Sequence, residues 1–343
     1  MKFETFANGG CKSYMIGCEN SSIAAVIDPE VRLIDRYQAA AAQNGLRIHY
    51  VIDTHTHADH FSGADELSET LRIPVVMHPD SAAPFVAMRL QDGDMLRVGD
   101  LRVLAMHTPG HTRDSLCLLA EDRLFTGDTL LIGGTGRTDL PTGDPSALYD
   151  SLFNGILKLD PATRVFPAHD YKQLGSSTIA AELENNPRLQ KTDRAEFIDM
   201  MEHLNLSMPT HLTEALRTNM TGGRSVAQLL AAAAEKTPFI SLSELARRLE
   251  QAPGELIVLD VRQHSEFETG HIPGAMNVPR GQLELRVDDA LPDPTARIVT
   301  VCEFGKISTL AAATLRELGF LRTAALDGGM RAWHEQGLPT TQQ

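Results

Sequence analysis

The sequence predicts an α/β protein built as two domains, and three observations predict it. Short apolar runs that read as strands alternate with helix-type segments. Most of the runs end in a polar loop, the arrangement by which α/β proteins gather site residues at one rim of a sheet. At 343 residues the chain has room for about two cores, and the second half repeats the strand, loop, helix pattern around Cys302.

In the first half, Ser13 to Ile16 and Ile23 to Ile27 read as strands, the second stopped by Asp28-Pro29. Leu33, Ile34, Tyr37, Ala40 and Ala41 recur at helical spacing, with Gly45 as the stop. Ile48 to Ile52 is a strand that delivers Thr54-His55-Thr56-His57-Ala58-Asp59-His60, and Ala64 to Leu71 is a helix. Three imidazoles and a carboxylate in so short a loop are costly unless a cation gathers them, and these are the ligand types of zinc and non-haem iron. Val75 to Met77, Leu101 to Met106 and Ser115 to Leu119 are further strands. His107-Thr108-Pro109-Gly110-His111-Thr112 is a sharp turn that exposes its flanking side chains, so His111 joins the ligand candidates. Leu124 to Gly127 delivers Asp128, and Val165 to Pro167 delivers His169. The remaining eight of the thirteen His lack this pattern and read as surface or structural. Cys11, Cys18 and Cys117 read as buried thiols.

Composition narrows the function classes. A net charge of −14 opposes general binding of nucleic acid or anionic membranes. Four dispersed Cys without a CxxC pair fit a reducing compartment, so a cytoplasmic protein is expected. No apolar stretch approaches membrane-spanning length, and the start of the chain has no apolar signal core. Nothing in the sequence opposes a homo-oligomer.

The ordered series HxHxDH (residues 55–60), PGHT (109–112), GD (127–128) and PAHDY (167–171) resembles the metallo-β-lactamase superfamily. The resemblance implies an αββα sandwich over about residues 1–225, with the metal site at one edge. In the dinuclear pattern of that superfamily His55, His57 and His111 hold one ion, Asp59, His60 and His169 hold another, and Asp128 bridges. All seven are present, so the motif alone does not choose between one ion and two. The run Asp128 to Leu140, with Gly136-Arg137-Thr138-Asp139, resembles the persulfide dioxygenase family, as does Asn186-Pro187-Arg188-Leu189. That resemblance implies one Fe(II) per chain, on His55, His111 and Asp128. Two imidazoles and a carboxylate leave coordination positions for sulfur and for O2, and iron has the redox chemistry that zinc lacks. His57, Asp59, His60 and His169 are then expected to orient the ligands by hydrogen bonding. Arg137 and Tyr171 match the glutathione pocket of the family, and Lys172 adds charge there. Arg suits the two carboxylates of glutathione, although pairing with Asp139 is the other use open to Arg137. The implied substrates are glutathione persulfide and O2. The rival reading is a dinuclear zinc hydroxyacylglutathione hydrolase of the glyoxalase II kind.

Farther on, Asp193 and Glu196 suggest a capping box for a helix carrying Phe197, Met200, Met201 and Leu204. Pro209 is expected to open a helix with Leu212, Ala215 and Leu216. Residues 226–239 read as a helical connector ended by Thr237-Pro238, and 240–343 as the second domain. There Ser241 and Glu244 again suggest a capping box. Leu256 to Leu259 is a strand leading to Asp260-Val261-Arg262, and Arg297 to Val301 is a strand leading to Cys302. The loop Glu303, Phe304, Gly305, Lys306, Ile307 and Ser308 opens a helix. A Cys at such a helix start is a nucleophile arrangement, since backbone N–H groups favour the thiolate and a bound anion. The DVR, EF…GHIPGAxNVP and GGMxAW motifs resemble rhodanese sulfurtransferases. They imply a small α/β domain with a parallel sheet, in which Cys302 carries sulfane sulfur between thiosulfate, or sulfite, and glutathione. Lys306 is the one cation of the loop, and Glu303 sits beside the nucleophile. A related phosphatase needs an Arg where Ser308 stands, which opposes phosphate chemistry. Arg262 is expected to brace the loop, and His271 and Trp333 to be structural.

Overall fold

The computed structural model describes residues 1–204, 206–208 and 212–342. The chain divides into two compact units, Met1–Gly223 and Arg224–Gln343.

In the first unit the elements run β1 (Lys2–Asn8), β2 (Cys11–Cys18), β3 (Ile23–Ile27), α1 (Ile34–Gln43), β4 (Arg47–Ile52), α2 (Ala64–Leu71), β5 (Val75–Met77), β6 (Val86–Arg89), β7 (Met95–Val98), β8 (Leu101–His107), β9 (Leu116–Ala120) and β10 (Arg123–Gly127). A small hairpin follows, β11 (Leu130–Leu131) and β12 (Gly134–Thr135), then α3 (Pro145–Tyr149), β13 (Arg164–Pro167), β14 (Ser177–Thr178), α4 (Ile179–Asn185), α5 (Arg194–Glu202) and α6 (Leu212–Thr221). Pro209, expected to open α6, lies outside the described residues. The strands form two six-stranded sheets, in the orders β1-β2-β3-β4-β5-β6 and β14-β13-β10-β9-β8-β7.

The period of two along each strand builds the layers. Tyr14, Ile16, Ala25, Ile27, Ile52 and Val76 point from the first sheet into the core between the sheets. Their neighbours Met15, Val26, Val51 and Val75 point the other way, against Leu33, Ile34, Tyr37 and Leu67 of the α1 and α2 region. In the second sheet Leu116, Leu118, Phe125 and Phe166 fill the same inter-sheet core, while Cys117, Leu124 and Val165 meet Leu148, Phe197 and Met201. Both sheets are therefore buried on two faces, and the order is helices, sheet, sheet, helices. This is the αββα sandwich, and Cys117 is core as expected.

The second unit opens with α7 (Val226–Lys236), capped reciprocally by Ser225 and Gln228. Residues 226–239, read from the sequence as a connector, here contribute a helix that packs on α11. There follow β15 (Phe239–Ile240), α8 (Leu242–Gln251), β16 (Leu256–Asp260), α9 (His264–Thr269), β17 (Met276–Asn277), α10 (Leu283–Ala290), β18 (Arg297–Val301), α11 (Lys306–Glu317), β19 (Thr323–Leu326) and α12 (Gly329–Glu335). The five strands pair in parallel in the order β15-β19-β18-β16-β17. Val258, Val299 and Val301 face Leu245, Met330 and Trp333 on one side. Leu259 and Ile298 face Leu283, Ala311 and Leu315 on the other. A parallel sheet covered on both faces is the expected small α/β domain.

Two capping expectations are only half met. Asp193 and Ser241 accept the backbone N–H groups of the first turns of α5 and α8. Glu196 instead pairs with Lys191, and Glu244 with Arg247 and Arg248. Each Glu has a cation in reach on the exposed face, so it does not turn back to its cap. Among the described residues no helix is long and apolar enough to cross a membrane.

Candidate metal centre and sulfur-transfer loop

The loops after β4, β8, β10 and β13 converge at one edge of the sandwich, two sheets supplying one cluster. The Lys12 N–H donates to the Ala168 carbonyl at 2.7 Å and the Tyr14 hydroxyl to the Pro167 carbonyl at 2.6 Å, which ties β2 of the first sheet to the His169 strand of the second.

His55, His111 and Asp128 form a group whose donor atoms all lie within 4.8 Å of one another. His55 Nε2 is 3.9 Å and His111 Nε2 3.6 Å from Asp128 Oδ2. The other nitrogen of each ring is already used. His111 Nδ1 donates to the Arg137 carbonyl at 2.8 Å, and His55 Nδ1 lies 3.0 Å from Thr54 Oγ1. Thr54 is held in turn by Asp28, which accepts its N–H at 2.7 Å and its hydroxyl at 3.0 Å. Imidazoles oriented through one nitrogen, with the other facing a carboxylate, make a donor set that fits a single divalent iron. Burial, then the neighbouring His57, push the His55 pKa down to about 3, which favours the neutral imidazole. Close approach requires Gly127, with φ of +49°, because a Cβ there would run into Thr54 and lie 3.3 Å from His55 Nδ1.

His57 packs beside this group, its ring centroid 4.2 Å from that of His55, but is not one of the three close donors. Its ring is buried, its Nε2 lies 3.3 Å from Asp28 Oδ1 and 3.8 Å from Asp53 Oδ1, and among the described residues neither nitrogen has a well-aligned hydrogen-bond partner. Burial, then the Asp28 charge, raise the Asp53 carboxyl to about 8. His169 uses both nitrogens on carboxylates. Nδ1 donates to Asp128 Oδ1 at 2.7 Å and Nε2 reaches Asp59 Oδ2 at 2.7 Å. His60 Nδ1 is 3.1 Å from Asp59 Oδ1.

Two contributors were not legible in the sequence. Cys11, expected to be a buried thiol, is half-buried and joins Asp59, His60 and His169 in a second group of close donors, with Sγ 3.5 Å from His169 Nε2. It opens β2, and an isolated antiparallel bridge sets it against His169 just beyond β13. Asn219 on α6 is buried, and its Nδ2 donates to the carbonyls of His57 and His60 at 2.8 and 2.9 Å. It holds the HxHxDH loop from far along the chain, and no local motif marks it.

A cavity of about 770 Å³ opens beside the metal group, lined by Asp128, Arg137, His169, Tyr171, Lys172 and Arg188 among others. Tyr171 is exposed and stacks on His169 with centroids 5.6 Å apart. Arg137 lines the cavity and makes the pairing foreseen as its other use: it grips Asp139 at 2.5 and 2.6 Å, and the Ser207 carbonyl at 2.8 Å. Arg188 adds a cation that the sequence had not marked as a site residue. Asp170 is a structural acceptor, for the N–H groups of Leu174 and Gly175.

In the second unit β18 delivers Cys302 to the start of α11. The Ser308 N–H donates to Cys302 Sγ at 3.2 Å, and Ser308 Oγ lies 3.4 Å from the sulfur. Gly305, with φ of +81°, caps α11, and α12 donates from Met330 N and Arg331 N to the carbonyls of Cys302 and Glu303. Arg262 is buried against Asp260 at 2.7 Å and reaches Glu303 at 3.4 Å, the bracing expected of it. Phe304, Lys306 and Ile307 are exposed around the loop. The Trp333 indole donates to the Pro339 carbonyl and His271 bonds the Phe267 carbonyl, both structural.

Comparison with known proteins agrees with both halves. Residues 8–169 match the metallo-beta-lactamase superfamily, and residues 241–336 match the rhodanese-like domain. The chain is 34% identical to the human mitochondrial persulfide dioxygenase ETHE1 over 213 residues, 62% of this chain and 84% of that protein. The crystal structure of ETHE1 from Myxococcus xanthus shares 39% identity and superposes with a TM-score of 0.64, covering 65% of this chain and all of that one. A metallo-beta-lactamase from Staphylococcus aureus, 23% identical, covers 95% of this chain and 98% of its own with a TM-score of 0.62, a likeness of fold. The chain belongs to the metallo-β-lactamase superfamily, in the family of the ETHE1 persulfide dioxygenases, and carries a rhodanese-like domain after it.

Proposed function

We propose that the first unit oxidises glutathione persulfide with O2 and water to glutathione and sulfite, at one Fe(II) held by His55, His111 and Asp128. The second unit passes sulfane sulfur between thiosulfate and glutathione through a Cys302 persulfide. In this reading residues 1–225 are the dioxygenase, 226–239 the connector and 240–343 the sulfurtransferase. The four free thiols suit a reducing compartment such as the cytoplasm.

The observation that carries the single-ion reading is the compactness of the His55, His111 and Asp128 group, whose donor atoms all lie within 4.8 Å of one another. His57 is not one of these donors, and its Nε2 lies 3.3 Å from the buried Asp28. His169 likewise is engaged by Asp128 and Asp59 through both nitrogens. An iron in the remaining two-His, one-carboxylate set supplies redox chemistry toward O2. The chain's own residues do the rest. Thr54 and the Arg137 carbonyl fix the two imidazoles, and His169 holds one oxygen of Asp128 so that the other faces them. Lys172, Arg188 and Arg137 line the cavity with positive charge for the carboxylates of glutathione. Arg137 does this as part of its pair with Asp139, which keeps its guanidinium fixed. The stoichiometry closes: one persulfide, one O2 and one water give one thiol and one sulfurous acid.

One observation favours the hydrolase rival. Cys11, Asp59, His60 and His169 offer four donors for a second ion. Metal content with O2 uptake on glutathione persulfide decides between the two. Iron near one per chain with O2 consumption supports the dioxygenase; two zinc ions with no O2 uptake supports the hydrolase.

A further inference from the structure

His78 and His107 belong to no part of the machinery above. His78 follows β5 in the first sheet, and His107 closes β8 in the second. Their rings stack with centroids 3.7 Å apart and planes 10° from parallel. Two imidazolium ions would repel in that stack. Burial, then the neighbouring His107, lower the His78 pKa, which favours the neutral, ligating form.

The donor set is nearly assembled. His78, Asp80 and His107 each offer an atom within 4.8 Å of the others. Asp80 Oδ2 is 3.9 Å from His78 Nδ1. His107 Nε2 is taken by the Arg113 carbonyl at 2.8 Å, which leaves the lone pair on Nδ1. An imidazole with one nitrogen on a carbonyl and the other free is the usual posture of a metal ligand. Asp92 accepts the His107 N–H at 2.9 Å and adds negative charge nearby. For both imidazoles to meet one ion, the His78 ring has to leave the parallel stack and give up the Asp80 backbone N–H that its Nδ1 accepts at 3.1 Å. Two imidazoles and a carboxylate suit zinc, while calcium and magnesium prefer oxygen alone.

We propose that His78, Asp80 and His107 form a zinc site, separate from the catalytic cluster, that clasps a strand end of each sheet of the sandwich. It holds whichever ion fills the His55 group, so it stands or falls apart from the proposed activity.

The test uses the full chain, stripped with a chelator and titrated with zinc alone. Calorimetry and elemental analysis compare the parent protein with His107→Ala and with Asp80→Asn, each also in an Asp128→Ala background. One more zinc per chain in the parent than in His107→Ala is expected, and the difference persists with Asp128 gone. Asp80→Asn weakens that zinc by about tenfold or more, and zinc raises the unfolding temperature of the parent by more than that of either variant. Equal zinc stoichiometry, affinity and thermal shift in the parent and in Asp80→Asn overturns the proposal. Asp80 is exposed, so this arm decides even if His107→Ala fails to fold.

Discussion

His169 Nδ1 donates to Asp128 Oδ1 at 2.7 Å while His169 Nε2 reaches Asp59 at the same distance. One imidazole therefore joins Asp128, the bridging carboxylate of the dinuclear pattern, to Asp59. It fixes the rotamer of Asp128 and turns Oδ2 toward His55 and His111. Hydrogen-bonding partners of this kind typically set metal affinity within about 10–100-fold. His169→Asn is expected to lower iron occupancy and O2 uptake by a factor in that range, with partial recovery in excess Fe(II). Unchanged iron content on dialysis would remove His169 from this role.

On the proposed reading the two activities divide between the two units. Cys302→Ser is expected to abolish sulfur transfer from thiosulfate and leave O2 consumption on preformed glutathione persulfide intact. Asp128→Ala is expected to do the reverse, losing iron and O2 uptake while keeping sulfur transfer. Loss of both activities in either variant would contradict the division.

Chelation follows the same line. Removing metal with a strong chelator should stop O2 consumption and spare the thiosulfate reaction, because Cys302 works from a helix start and a Ser308 N–H. Re-addition of Fe(II), and not of zinc, should restore the first activity. Recovery with zinc would favour the hydrolase reading.

Asn219 anchors the ligand loop from α6, with its Oδ1 accepting the Ser62 N–H at 3.1 Å in addition to the two bonds it donates. Asn219→Ala leaves buried carbonyls unpaired, at about 1–3 kcal/mol for such a group. Urea unfolding should show that loss, and iron affinity should fall with it. Stability equal to the parent would show that water takes over both bonds.

Arg262 and Asp260 are both buried, so removing one leaves the other charge unpaired. Arg262→Ala is expected to cost about 3–5 kcal/mol and to slow sulfur transfer by loosening Glu303. Denaturant unfolding of the full chain, followed through Trp333 in the second unit, measures it. A midpoint within error of the parent would refute the bracing role.

Much of the site was legible because its residues sit at strand ends. Alternation placed Ile27, Ile52, Phe125 and Phe166 in the inter-sheet core, and the residues just beyond those strands had to reach one rim. The Cys302 loop was readable for the same reason, following a strand closely, whereas Tyr171 and Lys172 were marked by the family resemblance of their motif. Asn219 and Arg188 were not legible, since a polar residue on a helix face or in a turn carries no local signal of what it touches.

Taken alone, the chain of amino acids determined the strand ends, the ligand types and the place of each motif, because period and turn chemistry are local properties; the layer order came with the family resemblance that those motifs carry. Only the folded molecule decided where side chains point. It turned His57 toward Asp28 and Asp53, brought Cys11 beside His169, locked Arg137 onto Asp139 and stacked His78 on His107. Each of these last choices depends on packing between distant segments, and a rotamer follows the neighbours it meets rather than the residues beside it in the chain.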